Sequence, residues 1–168
     1  MSDQAVSRSR NDYRHREHYR VRYSDLDTYR HVNNKSFLTY VEDARVRYLV
    51  DVAGFTHHHE GREGVMVVHV AIDYISQINA FEEVEVLTRC ARIGTRSFTL
   101  HHLVLAGPVL NPVENPVVIE DAEAEAPRLA AEATTVFATV DIRAGRSRDN
   151  DPAAMDRIVA YEALAPAR

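Results

Sequence analysis

The sequence predicts an α+β domain in which one antiparallel sheet wraps around a central helix. An amphipathic helical pattern over 35–53 follows a short strand pattern over 19–23, and strand patterns fill most of the chain from 65 to 142. Because one strand precedes the helix and four follow it, a single sheet can bury the apolar stripe of that helix.

The first strand and the central helix are predicted from the spacing of their apolar residues. Apolar and polar residues alternate over 19–23, which is the two-residue period of a half-buried strand. In the helix, apolar residues recur at three- and four-residue steps, at Phe37, Leu38, Val41, Ala44, Tyr48, Leu49 and Val52. Asn33 or Asn34 is a natural N-cap, and Gly54 is a natural end.

The apolar segment 65–78 is predicted to form the second strand and to pack against the helix. One face is predicted to carry Met66, Val68, Val70, Ile72, Tyr74 and Ile78. The other face carries His69 and Asp73, together with Val67 and Ala71.

Three further strands and a short closing helix complete the predicted fold. The strand patterns cover 84–93, 96–106 and 129–142, and a tight turn at Gly94 joins the first two. Asp151-Pro152 combines an N-cap with a proline at the first helical position, which predicts a helix after it.

Two segments are predicted to lie outside the regular fold. Residues 1–18 are polar and without periodicity, so we expect a flexible leader, followed by a single domain over 19–168. The segment 107–128 is an acidic, proline-rich insertion that is far longer than a hairpin connection. A solvated excursion is the favoured interpretation, and a lid or an oligomer contact is the alternative.

Composition narrows the class of protein. With 168 residues and 45% hydrophobic content, the chain suits one globular domain. A net charge of -5 argues against nucleic-acid binding, which requires a basic face. The chain has a single cysteine, no run of about 18 apolar residues and no signal-like start, so we expect no membrane partner and a cytoplasmic location.

The strongest functional clue is a carboxylate placed just ahead of a helix. Asp27 and Asn34 are seven residues apart, and Asn34 lies where the helix is predicted to begin. The unpaired N–H groups and the positive dipole end of a helix N-terminus can hold a negatively charged oxygen. A carboxylate beside such a donor suits acyl transfer or ester hydrolysis.

Each candidate residue also has a structural interpretation. Asp27 can cap a turn, and Asp25 is expected to shape the loop that carries it. His31 can orient a substrate or pack within the loop, and Asn33 can cap the helix or brace the loop. Serine and cysteine nucleophiles are disfavoured because no nucleophile-elbow motif is present and Cys90 lies in a strand pattern. A zinc site at the adjacent histidines 57–59 is also disfavoured, so no metal is expected.

A family resemblance follows from these residues. The run Asp27-Thr-Tyr-Arg-His31-Val32-Asn33-Asn34 resembles the Asp-x-x-x-His-Val-Asn-Asn motif of the 4-hydroxybenzoyl-CoA thioesterase family of hotdog-fold enzymes. Further similarities are Ile72-Asp73-Tyr74 and Gly94-Thr-Arg-Ser-Phe98, and the likeness extends over about 19–142. The resemblance implies a hotdog fold and hydrolysis of an acyl-CoA thioester.

The resemblance also implies roles for individual residues. The backbone N–H of Asn34 would hold the thioester oxygen, and Asp27 would act as nucleophile or general base. Arg96 would meet the phosphates of CoA, although a solvated basic turn is an equal alternative. His69 would face the cleft and the partner subunit. His31 and Asn33 complete the expected substrate-binding set.

The resemblance implies a homodimer or homotetramer and no cofactor beyond the CoA of the substrate. The principal alternative is a non-catalytic protein that binds acyl-CoA or an acyl carrier in the same cleft, and a dehydratase on the same fold is a weaker third option. Acyl length and polarity, and the choice between CoA and a carrier protein, stay open.

Overall fold

The computed structural model describes residues 8–55, 63–107 and 127–163. Its helices are α1 (Asn34–Asp51) and α2 (Pro152–Glu162). Its strands are β1 (His15–Arg20), β2 (Glu63–Tyr74), β3 (Glu83–Ile93), β4 (Ser97–Gly107), β5 (Arg128–Asp141) and β6 (Arg146–Ser147). Single turns of 3₁₀ helix cover Arg10–Asp12 and Tyr23–Asp25.

The strands form one antiparallel sheet in the order β1-β3-β4-β5-β2, and β6 pairs with β5. Helix α1 packs on one face of this sheet against β3, β1 and β4. The strand order leaves β1 and β2 as the two edges. The predicted hotdog architecture, a curled antiparallel sheet around a central helix, is confirmed.

The apolar stripe of α1 is buried as the sequence predicts, except at Leu38, which is 41% exposed. Phe37, Tyr40, Val41 and Ala44 are at most 3% exposed and pack against the valines and alanines of the sheet. Farther along the helix, Tyr48 is fully buried in a second cluster. Each large apolar side chain removed from water contributes about 1.5 to 3 kcal/mol, so this stripe holds the helix in place.

Helix α2 is the predicted closing helix, and it covers the C-terminal end of α1. The Asp151 side chain accepts a hydrogen bond from the backbone N–H of Ala154 at 3.0 Å, which caps the helix as expected. The Arg157 guanidinium donates two hydrogen bonds, at 2.9 and 2.7 Å, to the carbonyl oxygen of Ala53 just beyond α1. These contacts fasten the end of α1, where carbonyl groups lack helical partners.

The predicted leader is wrong over the residues that the structure describes. Strand β1 begins at His15 rather than near Tyr19, and Tyr13 is 1% exposed. The Tyr13 hydroxyl lies 2.7 Å from Nδ1 of His101, and Arg10 forms an ion pair with Glu85. Ordering comes from pairs with strands distant in sequence, which a local hydrophobic pattern does not reveal.

The face assignment predicted for β2 is wrong in its first half. The pairing of β2 with β5 shifts between Val67 and His69, which marks a β-bulge at Val68. Val65 and Val67 therefore join the helix-facing set of Val70, Ile72 and Tyr74, whereas Met66 lies on the other face. His69 and Asp73 share the face away from α1, as predicted.

Two predicted segments lie outside the described residues. They are the histidine run at 57–59 and nearly all of the 107–128 insertion. Among the described residues, no helix combines the length and the apolar character needed to cross a membrane.

Candidate active site

The loop between β1 and α1 is a small, tightly bonded hairpin. Leu26 and Val32 form an isolated antiparallel bridge, and the backbone N–H of Asp27 donates to the carbonyl oxygen of His31 at 2.8 Å. Arg30 closes the turn with φ of 66°, in the left-handed region. Val32 also donates to the carbonyl oxygen of Ile78 at 2.8 Å, which fastens the hairpin to the segment after β2.

Asp25 anchors this hairpin to α1. Its carboxylate is buried and accepts hydrogen bonds from the Tyr40 hydroxyl at 2.9 Å and from the backbone N–H of Arg22 at 2.8 Å. Its carbonyl oxygen accepts from the backbone N–H of Asn33 at 2.8 Å and from the Ser36 hydroxyl at 3.2 Å. Burial, aided by the bond to Asp25, raises the pKa of Tyr40, so the phenol stays a neutral donor. These contacts agree with the structural role expected of Asp25.

The two carboxylate oxygens of Asp27 have different surroundings. Oδ1 accepts hydrogen bonds from the backbone N–H groups of Tyr29 at 2.8 Å and His31 at 3.2 Å. Oδ2 has no hydrogen-bond partner among the described residues. The side chain therefore caps its own turn with one oxygen and leaves the other available for chemistry.

Asn34 is the first residue of α1, and its backbone N–H is an unused donor. The Asn33 side chain accepts from the N–H of Lys35 at 3.0 Å, and the Asn33 carbonyl oxygen accepts from Ser36 at 2.8 Å and Phe37 at 3.3 Å. Within the described part of the chain, no acceptor meets the N–H of Asn34. The capping pattern thus satisfies the neighbouring donors and leaves this one, at the positive end of the helix, for a ligand. Asn33 is the N-cap, and its side-chain oxygen is occupied.

Tyr74, which is not among the predicted site residues, brings the end of β2 to this helix start. Its hydroxyl lies 3.5 Å from the carbonyl oxygen of Asn34, and its ring meets Phe37 edge-on at 5.3 Å. Burial raises the pKa of Tyr74, so its hydroxyl is protonated at neutral pH. His31 is half-buried nearby and bridges to Asn79 after β2. In the sequence, the position of Tyr74 at the end of a predicted strand was the one indication that it could reach the site.

Within one chain, Arg96 lies far from Asp27 and Asn34. The Arg96 carbonyl oxygen accepts from the N–H of Thr139, which pairs with Val65 at the far end of β2. From Val65 to Tyr74 the strand runs roughly 30 Å, at about 3.3 Å per residue. The Arg96 guanidinium is exposed and lies 2.9 Å from the Asp149 carboxylate, an ion pair that solvent weakens.

His69 is exposed on the face of β2 that points away from α1, so it also lies apart from Asp27 in one chain. Neither the cavity between β1, β3 and β4 nor the one between β1 and α1 is lined by Asp27 or Asn34. Asn34 is exposed and Asp27 is half-buried. The donor and the carboxylate therefore lie at an open surface beside the edge strand rather than inside a closed pocket.

Comparisons with known proteins agree with the fold described above. The chain is 29% identical to a thioesterase from Thermus thermophilus solved with coenzyme A and Zn, with a TM-score of 0.68 over 90% of this chain and 96% of that one. It also resembles, at 15% identity and a TM-score of 0.67, a 1,4-dihydroxy-2-naphthoyl-CoA thioesterase from Synechocystis, over 85% of this chain and 93% of that one. The second likeness shows the fold alone.

A curated relative and a family profile complete the comparison. The uncharacterized protein YsmA of Bacillus subtilis is 28% identical over 83 residues, which cover 49% of this chain. The match spans 55% of the length of that relative. The profile of the thioesterase-like superfamily matches residues 21–160, which include the hairpin, helix α1, most of helix α2 and the sheet from β2 onward. The chain belongs to the thioesterase-like superfamily.

Proposed function

We propose that this protein hydrolyses an acyl-CoA thioester to a free acid and CoA. The observation that carries the proposal is the pairing, on one hairpin and helix start, of an open carboxylate oxygen on Asp27 with an unused N–H on Asn34. Membership of the thioesterase-like superfamily supports it. So does the coenzyme A bound by the Thermus thermophilus relative.

The proposed chemistry uses both groups on one carbonyl. The thioester oxygen accepts a hydrogen bond from the Asn34 N–H, and the helix dipole stabilises the negative charge that develops there. Oδ2 of Asp27 either attacks the carbonyl carbon, releasing CoA thiolate from a mixed anhydride, or takes a proton from the attacking water. Oδ1 stays bonded to the turn in both routes, so the carboxylate keeps its orientation.

A second copy of the chain completes the site in this proposal, and the two sheet edges indicate where it binds. The β1 edge, His15–Arg20, is rich in charged residues, which discourage strand pairing. The β2 edge instead exposes Met66 at 58%, Val68 at 60% and Val70 at 37%. An apolar edge with unpaired backbone groups is a template for pairing, so we place the dimer contact along β2.

Antiparallel pairing of two β2 strands about a two-fold axis would bring opposite ends of the strands together. The Val65 end of one chain, which carries Arg96, would then approach the Tyr74 end of the other, which carries Asn34. Arg96 would serve the site of its partner, with its guanidinium exchanging the exposed Asp149 for a CoA phosphate. His69, in the middle of β2, would lie near the axis.

Release of free thiol from a panel of acyl-CoAs and acyl-carrier thioesters tests the activity. We expect turnover of at least one CoA thioester, with a length and polarity preference that identifies the acyl group. Tight binding of acyl-CoA without turnover would favour the non-catalytic alternative instead.

Mixed dimers test the shared site. At substrate concentrations well below KM, neither Asp27→Asn nor Arg96→Ala dimers should be fully active alone, but unfolding and refolding the two together should restore about one quarter of parental activity. Half of the dimers formed at random are mixed, and each has one of its two sites intact. Arg96→Ala alone should raise KM more than it lowers kcat. Absence of restoration, with mixed dimers confirmed by mass, would place Arg96 outside the partner's site.

A further inference from the structure

A second cluster of chemically active side chains lies at the charged edge of the sheet, on β1 and at the end of α1. It consists of His15 and Glu17, two residues apart on β1, and Asp51, the last residue of α1. Among the described residues, this is the one group of three such side chains whose ligand atoms all lie within 4.8 Å of one another. None of the three belongs to the hairpin or the helix start described above.

Among the described residues, the buried side chain of His15 makes no hydrogen bond. The residue is 7% exposed, its Nδ1 has no described partner, and the nearest carboxylate oxygens lie beyond hydrogen-bond distance of its Nε2. Its ring is held edge-on against the buried Tyr48 at a centroid distance of 5.4 Å and an interplanar angle of 75°. This contact aims Nε2 at the two carboxylates. A ring nitrogen without a hydrogen bond in a buried side chain carries a desolvation cost, and a cation bound at Nε2 would give that nitrogen a partner.

The distances around Nε2 match a shared cation better than direct bonds. Nε2 lies 3.7 Å from Oε1 of Glu17 and 3.6 Å from Oδ2 of Asp51. Both separations exceed the usual limit for a hydrogen bond between nitrogen and oxygen. Two ligands on one tetrahedral ion, with bonds of about 2.1 Å, are about 3.4 Å apart.

We propose that His15, Glu17 and Asp51 form a binding site for a divalent transition-metal cation of the Zn²⁺ class. One imidazole and two carboxylates are ligands that Zn²⁺ accepts, and Mg²⁺ and Ca²⁺ prefer oxygen alone. The carboxylates supply two negative charges, and the C-terminal end of α1 adds the negative end of its dipole. Glu17 also lines a cavity of about 520 Å³ between β1 and α1, from which water can fill the remaining coordination position.

The site would fasten the edge strand to the end of the helix. Two ligands come from β1 and one from α1, so a bound cation would bridge these two elements. Because binding to the folded chain alone shifts the folding equilibrium, a bound cation should raise the melting temperature. This effect is independent of the proposed hydrolysis.

Calorimetric titration of chelator-treated, untagged protein with Zn²⁺ tests the proposal, with Mg²⁺ as the comparison ion. We expect one Zn²⁺ per chain, a higher Tm and no displacement by millimolar Mg²⁺. Loss of an outer-shell partner typically weakens metal binding about 10- to 100-fold, so loss of a direct ligand should cost at least as much. His15→Gln and Asp51→Asn should both show that loss, and the exposed position of Asp51 keeps its variant folded.

Two control variants separate this site from other sources of binding. Asp43→Asn removes the same charge from the same helix without touching the cluster, so it should bind Zn²⁺ like the parent. Replacing histidines 57–59 with glutamine should also leave the affinity unchanged. The proposal is overturned if the parent binds no Zn²⁺, if Asp51→Asn binds as tightly as the parent, or if the triple glutamine variant alone abolishes binding. In the first case the cluster is an ion-paired histidine only.

Discussion

The sharpest prediction separates the two roles of Asp27 by comparing two substitutions. Asparagine keeps an oxygen where Oδ1 accepts from Tyr29 and His31, at 2.8 and 3.2 Å, but it removes the charge and the open carboxylate oxygen. Alanine removes the turn contacts as well. If Asp27 is catalytic, both variants should lose activity equally, although they differ in stability.

The magnitudes follow from these contacts. Each hydrogen bond to a carboxylate contributes about 1.5 kcal/mol net at the low end of the range, so Asp27→Ala should lower the free energy of unfolding by about 3 kcal/mol. Asp27→Asn keeps both bonds in a weaker, uncharged form and should cost about 1 kcal/mol. Loss of a nucleophile or general base should lower kcat at least about 100-fold, which corresponds to about 2.7 kcal/mol of barrier.

The assay combines thiol release under saturating acyl-CoA with urea denaturation of the same samples. Tyr40→Phe serves as the matched control, because it loosens the hairpin through Asp25 and leaves the Asp27 carboxylate untouched. Its kcat should stay within about threefold of the parent value. If Asp27→Asn keeps more than a tenth of parental kcat while Asp27→Ala loses most of it, Asp27 is a turn residue and the mechanism is wrong.

Three further predictions concern the scaffold. Tyr40→Phe removes the 2.9 Å bond to the buried Asp25 carboxylate and should cost about 1.5 to 3 kcal/mol in urea denaturation; a loss below 0.5 would contradict the anchoring role. Arg30→Gly relieves a left-handed residue with φ of 66° and should raise stability by about 0.5 to 1 kcal/mol after the entropy of glycine is subtracted; destabilisation would show that the arginine side chain matters more. Burial lowers the pKa of His102 to about 3. Below pH 6.5, His102 therefore binds a proton in the unfolded chain but stays neutral in the folded chain. The free energy of unfolding should therefore decrease as the pH is lowered from about 6 to 4, by up to about 1.4 kcal/mol per pH unit. His102→Gln should make this dependence on pH weaker.

Local patterns predicted the elements that fold by their own periodicity. The helix expected over 35–53 is found at Asn34–Asp51, and the caps at Asn33 and Asp151 lie where the side chains suggested. The position of Asn34 in the first helical turn also followed from sequence. These features depend on neighbours within a few residues, which is the range that apolar spacing and capping chemistry describe.

Features that depend on distant pairing did not follow from sequence. The bulge at Val68 arises from the register between β2 and β5, so strict alternation placed Met66 on the wrong face. The order of residues before 19 depends on Tyr13 meeting His101, 88 positions away. Likewise, the roughly 30 Å between the Arg96 turn and the end of β2 required the sheet topology. The match of Arg96 to a family motif therefore did not indicate its distance from Asp27 within one chain.

The docking of Tyr13 has a practical consequence for anyone who trims the protein. Tyr13 packs on the face of the sheet opposite α1, in a cluster with Leu87, Leu103 and Leu105, all buried. A chain shortened to start at His15, where the first strand begins, would lack Tyr13 and would leave these three leucines uncovered. Such a fragment would keep every strand and both α-helices yet expose an apolar patch to solvent, and it should precipitate on concentration.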